Sequence, residues 1–386
     1  MPEDWKAGGF GLYIHWPYCK AKCPYCDFNS HVAAKIDEKR WISAYLSEID
    51  RLAKATSGRV LNTVYFGGGT PSLMSPDLVN AILERIKKSW TVSNRFEVTL
   101  EANPTSVEAG RFQGYRDASV NRLSMGFQAM NDADLKALGR LHTVAEGRKA
   151  FELARNTFDL ISFDLIYARQ NQSLASWKAE LGAALELSAS HLSLYQLTIE
   201  NGTAFGDRFA RGALSGLPNE GISADMYFAT QEICEAAGMP AYEISNHAHA
   251  GAESQHNLIY WQGGDYGGIG PGAHGRLTLG SNRYATDTLL SPNAWLDQVE
   301  QTGSGDASRR PLPQHDQASE YLMMGLRLRD GISIARYQRL LGNVIDPKKL
   351  DHMVLLEMVT IVDDTLKTTP KGRPVLNAIL RELLPD

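Results

Sequence analysis

Short apolar runs rich in β-branched residues alternate with amphipathic segments from residue 10 to about residue 245. The runs cover residues 10–14, 60–66, 96–101, 120–125, 158–166 and 191–199. Between the first two, Ile42, Tyr45, Leu46, Ile49 and Leu52 recur at helical spacing. Six strand–helix units of this kind predict an α/β protein with a parallel sheet and right-handed crossovers. The sheet is either open and doubly wound or curved into a barrel.

The pattern changes after residue 245 and again near residue 313. Residues 246–312 are rich in Gly, His and aromatic residues with little periodicity, which predicts an ordered connector that carries functional residues rather than a core element. Residues 313–386 return to helical spacing, with a hairpin expected at 359–362 and 366–369. Three helices, a hairpin and a last helix resemble a winged-helix module. The chain therefore divides into residues 1–245, 246–312 and 313–386.

Composition narrows the class of protein. The 386 residues carry a net charge of −5, and basic runs are short, so the sequence lacks the electrostatic footprint of a nucleic-acid-binding protein. A winged-helix regulator with a metal sensor has only the C-terminal pattern in its favour. No apolar run approaches the roughly 18 residues of a membrane span, and residues 1–6 are too polar for a signal peptide. We therefore expect a cytoplasmic protein with at most peripheral membrane contact.

Three of the four cysteines lie within eight residues, in the loop after the first predicted strand. Cys19, Cys23 and Cys26 offer three thiolates, whereas closed zinc sites and four-iron clusters use four ligands. One coordination position is thus left for a small molecule. The alternatives are a structural zinc site or inert thiols, and disulfides fit poorly with the absence of an export signal. Cys234, on an amphipathic segment, is typical of a small core residue.

Polar and glycine-rich segments follow the next strands. In chain order these are residues 67–70 with their glycine triplet, Glu101, Gln128 and Asp164. Because the carboxyl ends of parallel strands meet at one edge, we expect these segments to converge with the cysteines. The triplet alone could be a tight turn. Glycines also let a ligand approach the backbone, so its carbonyls and amides are candidates for contacting an ammonium or a carboxylate.

The cysteine spacing and the glycine triplet together resemble the radical S-adenosylmethionine superfamily. Within it, Leu-Tyr-Ile-His-Trp-Pro at 12–17, Cys-Pro-Tyr-Cys-Asp-Phe-Asn-Ser-His at 23–31 and residues 65–71 resemble the oxygen-independent coproporphyrinogen III oxidase family. The resemblance runs over nearly the full length. It implies a partial (β/α)6 barrel followed by a mainly helical C-terminal module. It also implies a [4Fe–4S] cluster on Cys19, Cys23 and Cys26, with S-adenosylmethionine on the fourth iron.

The resemblance further implies a set of S-adenosylmethionine contacts. These are Tyr13, Phe28, Gly68, Gly69, Thr70, Glu101, Gln128, Arg140 and Asp164. The residue types suit the ligand, since carboxylates bind an amine and ribose hydroxyls and an arginine binds a carboxylate. One segment departs from the family. After Tyr167 the family usually continues with Gly-Leu-Pro and then Gln, but residues 168–172 read Ala-Arg-Gln-Asn-Gln, so we expect an altered loop.

The residue two places after the third cysteine separates two branches of the family. The oxidases carry a fourth cysteine there and a longer N-terminal extension. This chain has Phe28, and 18 residues precede Cys19. The HemW-type haem chaperones have phenylalanine at that position and a His-Asn-x-x-Tyr-Trp haem-binding motif. The chain is similar to that branch, because it carries the motif as His256, Asn257, Tyr260 and Trp261.

This similarity implies a haem chaperone rather than an enzyme. Such a protein binds haem, the cluster and S-adenosylmethionine and transfers haem to respiratory haem proteins, and a homodimer fits the same expectation. His256 would ligate the haem iron, with Asn257 as a polar contact and Tyr260 and Trp261 as aromatic surface. Two alternatives to this assignment stay open. The ligand could instead be His247, His249 or His274, or the motif could cap the barrel core.

The alternative function is that of an oxygen-independent coproporphyrinogen III oxidase, a radical enzyme of porphyrin biosynthesis that oxidatively decarboxylates its substrate. Phe28 and the short N-terminus disfavour it.

Overall fold

The computed structural model describes residues 3–33, 35–187 and 189–384. The strands are β1 Phe10–Trp16, β2 Tyr18–Cys19, β3 His31–Val32, β4 Val60–Gly68, β5 Thr91–Ala102, β6 Arg122–Gln128, β7 Leu160–Tyr167, β8 His191–Gln196, β9 Asn246–Ala248, β10 Asp265–Ile269, β11 His274–Leu279, β12 Asn282–Thr288, β13 Asp306–Pro311, β14 Ile332–Ser333, β15 Val359–Val362 and β16 Thr365–Thr368. The α-helices are α1 Glu38–Ala55, α2 Pro76–Ser89, α3 Ser106–Ala109, α4 Phe112–Asp117, α5 Asp132–Ala137, α6 Val144–Thr157, α7 Leu174–Leu185, α8 Ala204–Ala210, α9 Glu220–Ala236, α10 Gln255–Trp261, α11 Pro292–Thr302, α12 Gln314–Gly325, α13 Ile334–Leu341, α14 Pro347–Leu355 and α15 Leu376–Leu383.

Six strands form the parallel sheet that the sequence predicts. β1, β4, β5, β6, β7 and β8 are neighbours in that order, and all five pairings are parallel. Each new strand is added on the same side of the previous one. A right-handed crossover then places every connecting helix on the same face, which curves the sheet into a partial barrel instead of a doubly wound sheet. The predicted α/β class is confirmed.

The region 246–312, expected as a connector, extends the same sheet at both edges. β9 pairs antiparallel with β8, and β10 pairs parallel with β1 and is followed by antiparallel β11, β12 and β13. The hydrophobic pattern of the sequence does not predict β10, because two of its residues are closely packed glycines. A Cβ on Gly267 would lie 2.4 Å from the Leu52 side chain, and one on Gly268 would lie 2.2 Å from the His274 carbonyl oxygen. Because these close contacts exclude side chains, the strand shows no apolar–polar alternation.

The C-terminal region builds a second hydrophobic core. Helices α12 to α15 pack around a three-stranded sheet of order β14-β16-β15. The hairpin β15–β16 lies where the sequence predicts it, with Val362 paired to Thr365. Arg336 of α13 is buried and pairs with Asp4 at 2.7 Å, which ties this region to the start of the chain. None of the helices in the described residues is long and apolar enough to cross a membrane.

Candidate functional site

The three clustered cysteines line one cleft at the carboxyl edge of the parallel strands. All three are free thiols and partly exposed. The Cys19 Sγ accepts a hydrogen bond from Thr70 Oγ1 at 3.4 Å, and the Cys23 Sγ accepts one from Arg140 Nη1 at 3.5 Å. Burial raises the pKa of the Cys19 and Cys26 thiols, so these groups are protonated at neutral pH until a metal centre displaces their protons.

The arrangement of these thiols fits an iron–sulfur cluster better than a single metal ion. Within the described residues, no three His, Cys, Asp or Glu side chains are placed to hold one ion. A [4Fe–4S] cluster bonds each cysteine to a different iron, so its thiolates lie farther apart than the ligands of one zinc. The Arg140 guanidinium beside Cys23 also suits an anionic cluster.

Asn29 links the cysteine loop to two loop residues of the region 246–312. Its Nδ2 donates to the carbonyl oxygens of Pro271 and Leu290, each at 2.9 Å. Its own carbonyl oxygen is bonded to His15 Nε2 at 2.9 Å. Asn29 is absent from the site residues expected from sequence, because Pro271 and Leu290 lie more than 240 positions away and no local pattern marks the pairing.

The glycine triplet is shaped by the cysteine loop. The amides of Gly69 and Thr70 donate to the carbonyl oxygens of Trp16 and Tyr18, at 2.7 and 2.8 Å. Gly68 has φ +109°, and a Cβ there would lie 2.5 Å from the His15 ring. Two of the amides expected to face a ligand are therefore already used to hold the loop, and the Gly68 amide is used by the Glu101 carboxylate.

Two carboxylates face the cleft with raised pKa values. Burial raises the pKa of Glu101 to about 7, although Tyr65 Oη donates a hydrogen bond to its Oε1 at 2.8 Å. Burial likewise raises the pKa of Asp164 to about 6. A cationic ligand would lower both pKa values, because it favours the ionised carboxylates. The pair therefore fits S-adenosylmethionine, whose sulfonium group carries a positive charge.

Arg140 and Gln128 also line the cleft. Arg140 Nη2 donates to Asn103 Oδ1 at 2.5 Å and to the Gly126 carbonyl oxygen at 2.8 Å. Gln128 ends β6 with φ +75°, a conformation that costs energy in a non-glycine residue and is frequent at functional sites. Asn103 was not among the expected site residues; its position just after Glu101 and Ala102 was the available signal.

Most of the residues expected at the S-adenosylmethionine site come together in this cleft. They are Phe28, Gly68, Gly69, Thr70, Glu101, Gln128, Arg140 and Asp164. Tyr13 lies outside it. Its ring stacks on Tyr65 inside the barrel, and its hydroxyl is bonded to His15 Nδ1 at 3.0 Å.

The atypical loop 168–172 is held by a buried ionic network. Arg169 is 4% exposed and pairs with Asp134 and with Glu180, both at 2.6 Å. Glu180 also accepts from Gln172 Nε2 at 3.0 Å and from the Met130 amide at 2.6 Å. The substituted sequence therefore ties the loop after β7 to the loop after β6.

A larger cavity of about 560 Å³ adjoins the cleft inside the barrel. The two share Cys26, Phe28, Glu101, Gln128 and Asp164 as wall residues. The remaining lining is mixed and includes aromatic, aliphatic, hydroxyl, amide and carboxylate side chains, one histidine and two arginines. This volume and lining are typical of a pocket for an organic ligand.

The motif His-Asn-x-x-Tyr-Trp lies on helix α10, where His256 and Tyr260 share one face and Asn257 and Trp261 share another. Asn257 lines the barrel cavity, and Trp261 packs at 4.7 Å under the guanidinium of Arg327, which also lines it. His256 is 1% exposed, with Nδ1 bonded to Thr63 Oγ1 and Nε2 bonded to Tyr260 Oη, both at 2.7 Å. Burial lowers the pKa of His256 to about 3. Neither of its nitrogens is free to bind iron in this conformation.

The other histidines considered as iron ligands lie outside the barrel cavity. His247 of β9 is 1% exposed, and among the described residues neither of its ring nitrogens has a hydrogen-bond partner. His249 is bonded through Nδ1 to the Gly238 carbonyl oxygen at 3.0 Å, and exposed His274 pairs with Asp287 at 2.7 Å. None of the three lines the barrel cavity.

An open parallel barrel with three cysteines and a glycine segment at its carboxyl edge defines a radical S-adenosylmethionine protein. The profile of the Radical SAM superfamily matches residues 13–177, and that of the HemN C-terminal domain matches residues 312–375. Heme chaperone HemW of Escherichia coli strain K12 is 36% identical over 97% of this chain and 98% of its own. The chain therefore belongs to the HemW family of the radical SAM superfamily, a family that implies a [4Fe–4S] cluster and S-adenosylmethionine as cofactors.

Other relatives agree with this assignment. Mitochondrial radical S-adenosyl methionine domain-containing protein 1 of Bos taurus is 37% identical over 97% of this chain and 87% of its own. Among solved structures, coproporphyrinogen III oxidase (HemN) of Escherichia coli superposes with a TM-score of 0.82 over 97% of this chain and 90% of that one. At 19% identity, this last match shows a shared fold alone.

Proposed function

We propose that this protein is a haem chaperone that binds haem, a [4Fe–4S] cluster and S-adenosylmethionine and passes haem to respiratory haem proteins. The observation that carries the proposal is Phe28, which is 60% exposed on the wall shared by the cleft and the cavity. The oxidases, by the resemblance, have a reactive thiol there. A phenyl ring has no proton to transfer and offers a flat apolar surface to a macrocycle. The names of the bacterial relatives support the same function.

Cys19, Cys23 and Cys26 would hold the cluster, and the walls of the cleft would hold S-adenosylmethionine. When bound, the cluster would supply an electron and S-adenosylmethionine would be the precursor of a radical. Glu101 and Asp164 would accept hydrogen bonds from the amine and the ribose hydroxyls, and Arg140 would bind the carboxylate. Since the carboxylate pKa values are about 7 and 6, binding should strengthen as the pH rises through this range.

Haem would lie in the barrel cavity, where Asn257 of the motif faces it. Because the cavity and the cleft share wall residues, haem and S-adenosylmethionine would touch the same side chains, and each would influence the binding of the other. Among the described histidines, His191 lines this cavity, bonded to Ser162 Oγ and Tyr242 Oη at 2.7 and 2.9 Å. His191 or His256 must release one such bond before it can ligate iron.

Haem titration of the anaerobically reconstituted protein should saturate at up to one haem per chain. Asn257→Ala should weaken haem binding by about tenfold, since it removes one polar contact from the cavity wall. Asn343→Ala, an exposed asparagine of the C-terminal region, is the matched control and should bind like the parent protein. Absorption spectra that do not change with excess haem would contradict the proposal.

The same preparation should not turn over coproporphyrinogen. Turnover is compared with that of Cys23→Ser, which lacks one cluster ligand. Both proteins are expected to show only the background rate of coproporphyrinogen decarboxylation. Decarboxylation clearly above this control would establish the oxidase activity instead.

A further inference from the structure

We propose that Tyr65 and His256 are positioning residues of the S-adenosylmethionine site, which act by holding the Glu101 carboxylate in place. This inference rests on the proposed function only in assigning Glu101 to that ligand. It gives the histidine of the haem motif a second role, inside the barrel wall.

Three rings from separate elements form a stacked column. Tyr13 of β1 stacks on Tyr65 of β4 with centroids 6.3 Å apart and an interplanar angle of 23°, and Tyr65 stacks on His256 of α10 at 5.0 Å and 24°. Gly67 makes room for this packing, since a Cβ there would lie 2.9 Å from both tyrosine rings. Tyr65 is therefore sandwiched, and it cannot swing away without losing both neighbours.

Both ring nitrogens and the backbone amide of His256 are hydrogen-bonded. Thr63 and Tyr260 occupy its two ring nitrogens, and its backbone amide donates to Glu97 Oε1 at 3.1 Å. Glu97 is itself paired with buried Arg122 at 3.2 Å. His256 is therefore a rigid, neutral ring on which Tyr65 packs, because both of its ring nitrogens are bonded and almost none of its surface is exposed.

The column ends on the cofactor cleft. Tyr65 Oη donates to Glu101 Oε1 at 2.8 Å, and this bond lowers the pKa of Glu101 against the larger effect of burial. Asp164 on β7 raises the same pKa, and the Gly68 backbone amide at the end of β4 lowers it. The hydroxyls of Tyr13 and Tyr260 interact electrostatically with Glu101, but they are bonded to His15 and His256. Tyr65 is therefore the side-chain donor that keeps this carboxylate partly ionised at neutral pH.

The decisive variant is Tyr65→Phe, which keeps the ring and removes the hydroxyl. S-adenosylmethionine affinity is measured by equilibrium dialysis on the reconstituted protein between about pH 5.5 and pH 8. Without the donor, the pH at which binding strengthens should rise by roughly one unit, so that affinity falls roughly five- to tenfold near pH 6.5 but only about twofold near pH 8. A purely structural defect would weaken binding equally at every pH.

Tyr337→Phe is the control, because Tyr337 is a fully buried tyrosine of the C-terminal core whose hydroxyl has no hydrogen-bond partner among the described residues. Its pH profile should match that of the parent. His256→Leu removes the imidazole ring that supports Tyr65. It should shift the pH dependence of S-adenosylmethionine affinity in the same direction as Tyr65→Phe.

Three outcomes would overturn the inference. An unchanged pH profile in Tyr65→Phe, with normal binding by the parent, removes it and leaves the proposed function intact. A His256→Leu variant that loses haem but keeps the parental profile restricts this histidine to the haem site. A parent that binds no S-adenosylmethionine at any pH removes both the inference and the proposed function.

Discussion

Cys23→Ser should abolish cluster assembly, reducing the iron content of the reconstituted protein from about four atoms per chain to almost none. Only two thiols would remain in the cleft, and a serine hydroxyl gives up its proton far less readily than a thiol. The same variant should lose S-adenosylmethionine binding, because the methionyl group has no iron to chelate. Iron and sulfide analysis after anaerobic reconstitution, together with dialysis, measures both effects.

Cys234→Ala is the matched control for that experiment. Cys234 is a fully buried residue of α9, and burial raises the pKa of its thiol to about 12, so it forms no thiolate for a metal at neutral pH. Its removal should leave the iron content unchanged. A Cys23→Ser protein that retained four irons would refute the assignment of the cluster to this loop.

Arg122→Ala should destabilise the barrel by about 3–5 kcal/mol, because it leaves the Glu97 carboxylate buried without its partner. Arg122 and Glu97 are 1% and 4% exposed and lie 3.2 Å apart. Arg122 also donates to the carbonyl oxygen of Ala252 at 2.8 Å, just before α10. The variant should therefore loosen α10 as well as lower the free energy of unfolding.

Denaturant unfolding followed by tryptophan fluorescence tests this, since all seven tryptophans precede residue 296 and report on the barrel. Arg155→Ala is the control: its ion pair with Glu152 is half exposed on both sides, and its loss should cost less than about 1 kcal/mol. If both variants shifted the unfolding midpoint equally, the buried pair would not be what anchors α10.

The predictions made from sequence succeeded where a signal was local and failed where it was not. The six parallel strands and the C-terminal hairpin follow from periodicity over a few residues. The strand β10 was missed, since Gly267 and Gly268 remove the alternation that marks a strand. Asn29 was missed because its partners, Pro271 and Leu290, are distant in sequence.

The haem motif shows the same limit at a functional residue. The spacing of His256, Asn257, Tyr260 and Trp261 identifies the branch of the family but does not show where each side chain points. On a helix His256 and Tyr260 share one face and Asn257 and Trp261 share another, and the barrel decides which face meets the cavity. Asn257 faces it, while Thr63 and Tyr260 hold His256 in the wall.

The sequence by itself determined the class of protein, and it predicted that the cysteine loop and the segments after the next strands converge on one cleft. It could do so because each segment follows a strand whose carboxyl end must lie at the common edge of the sheet. Only the tertiary structure decided that the connector completes the sheet, that two triplet amides hold the cysteine loop and that His256 packs on Tyr65. These features depend on contacts between residues far apart in the chain, which local periodicity does not encode.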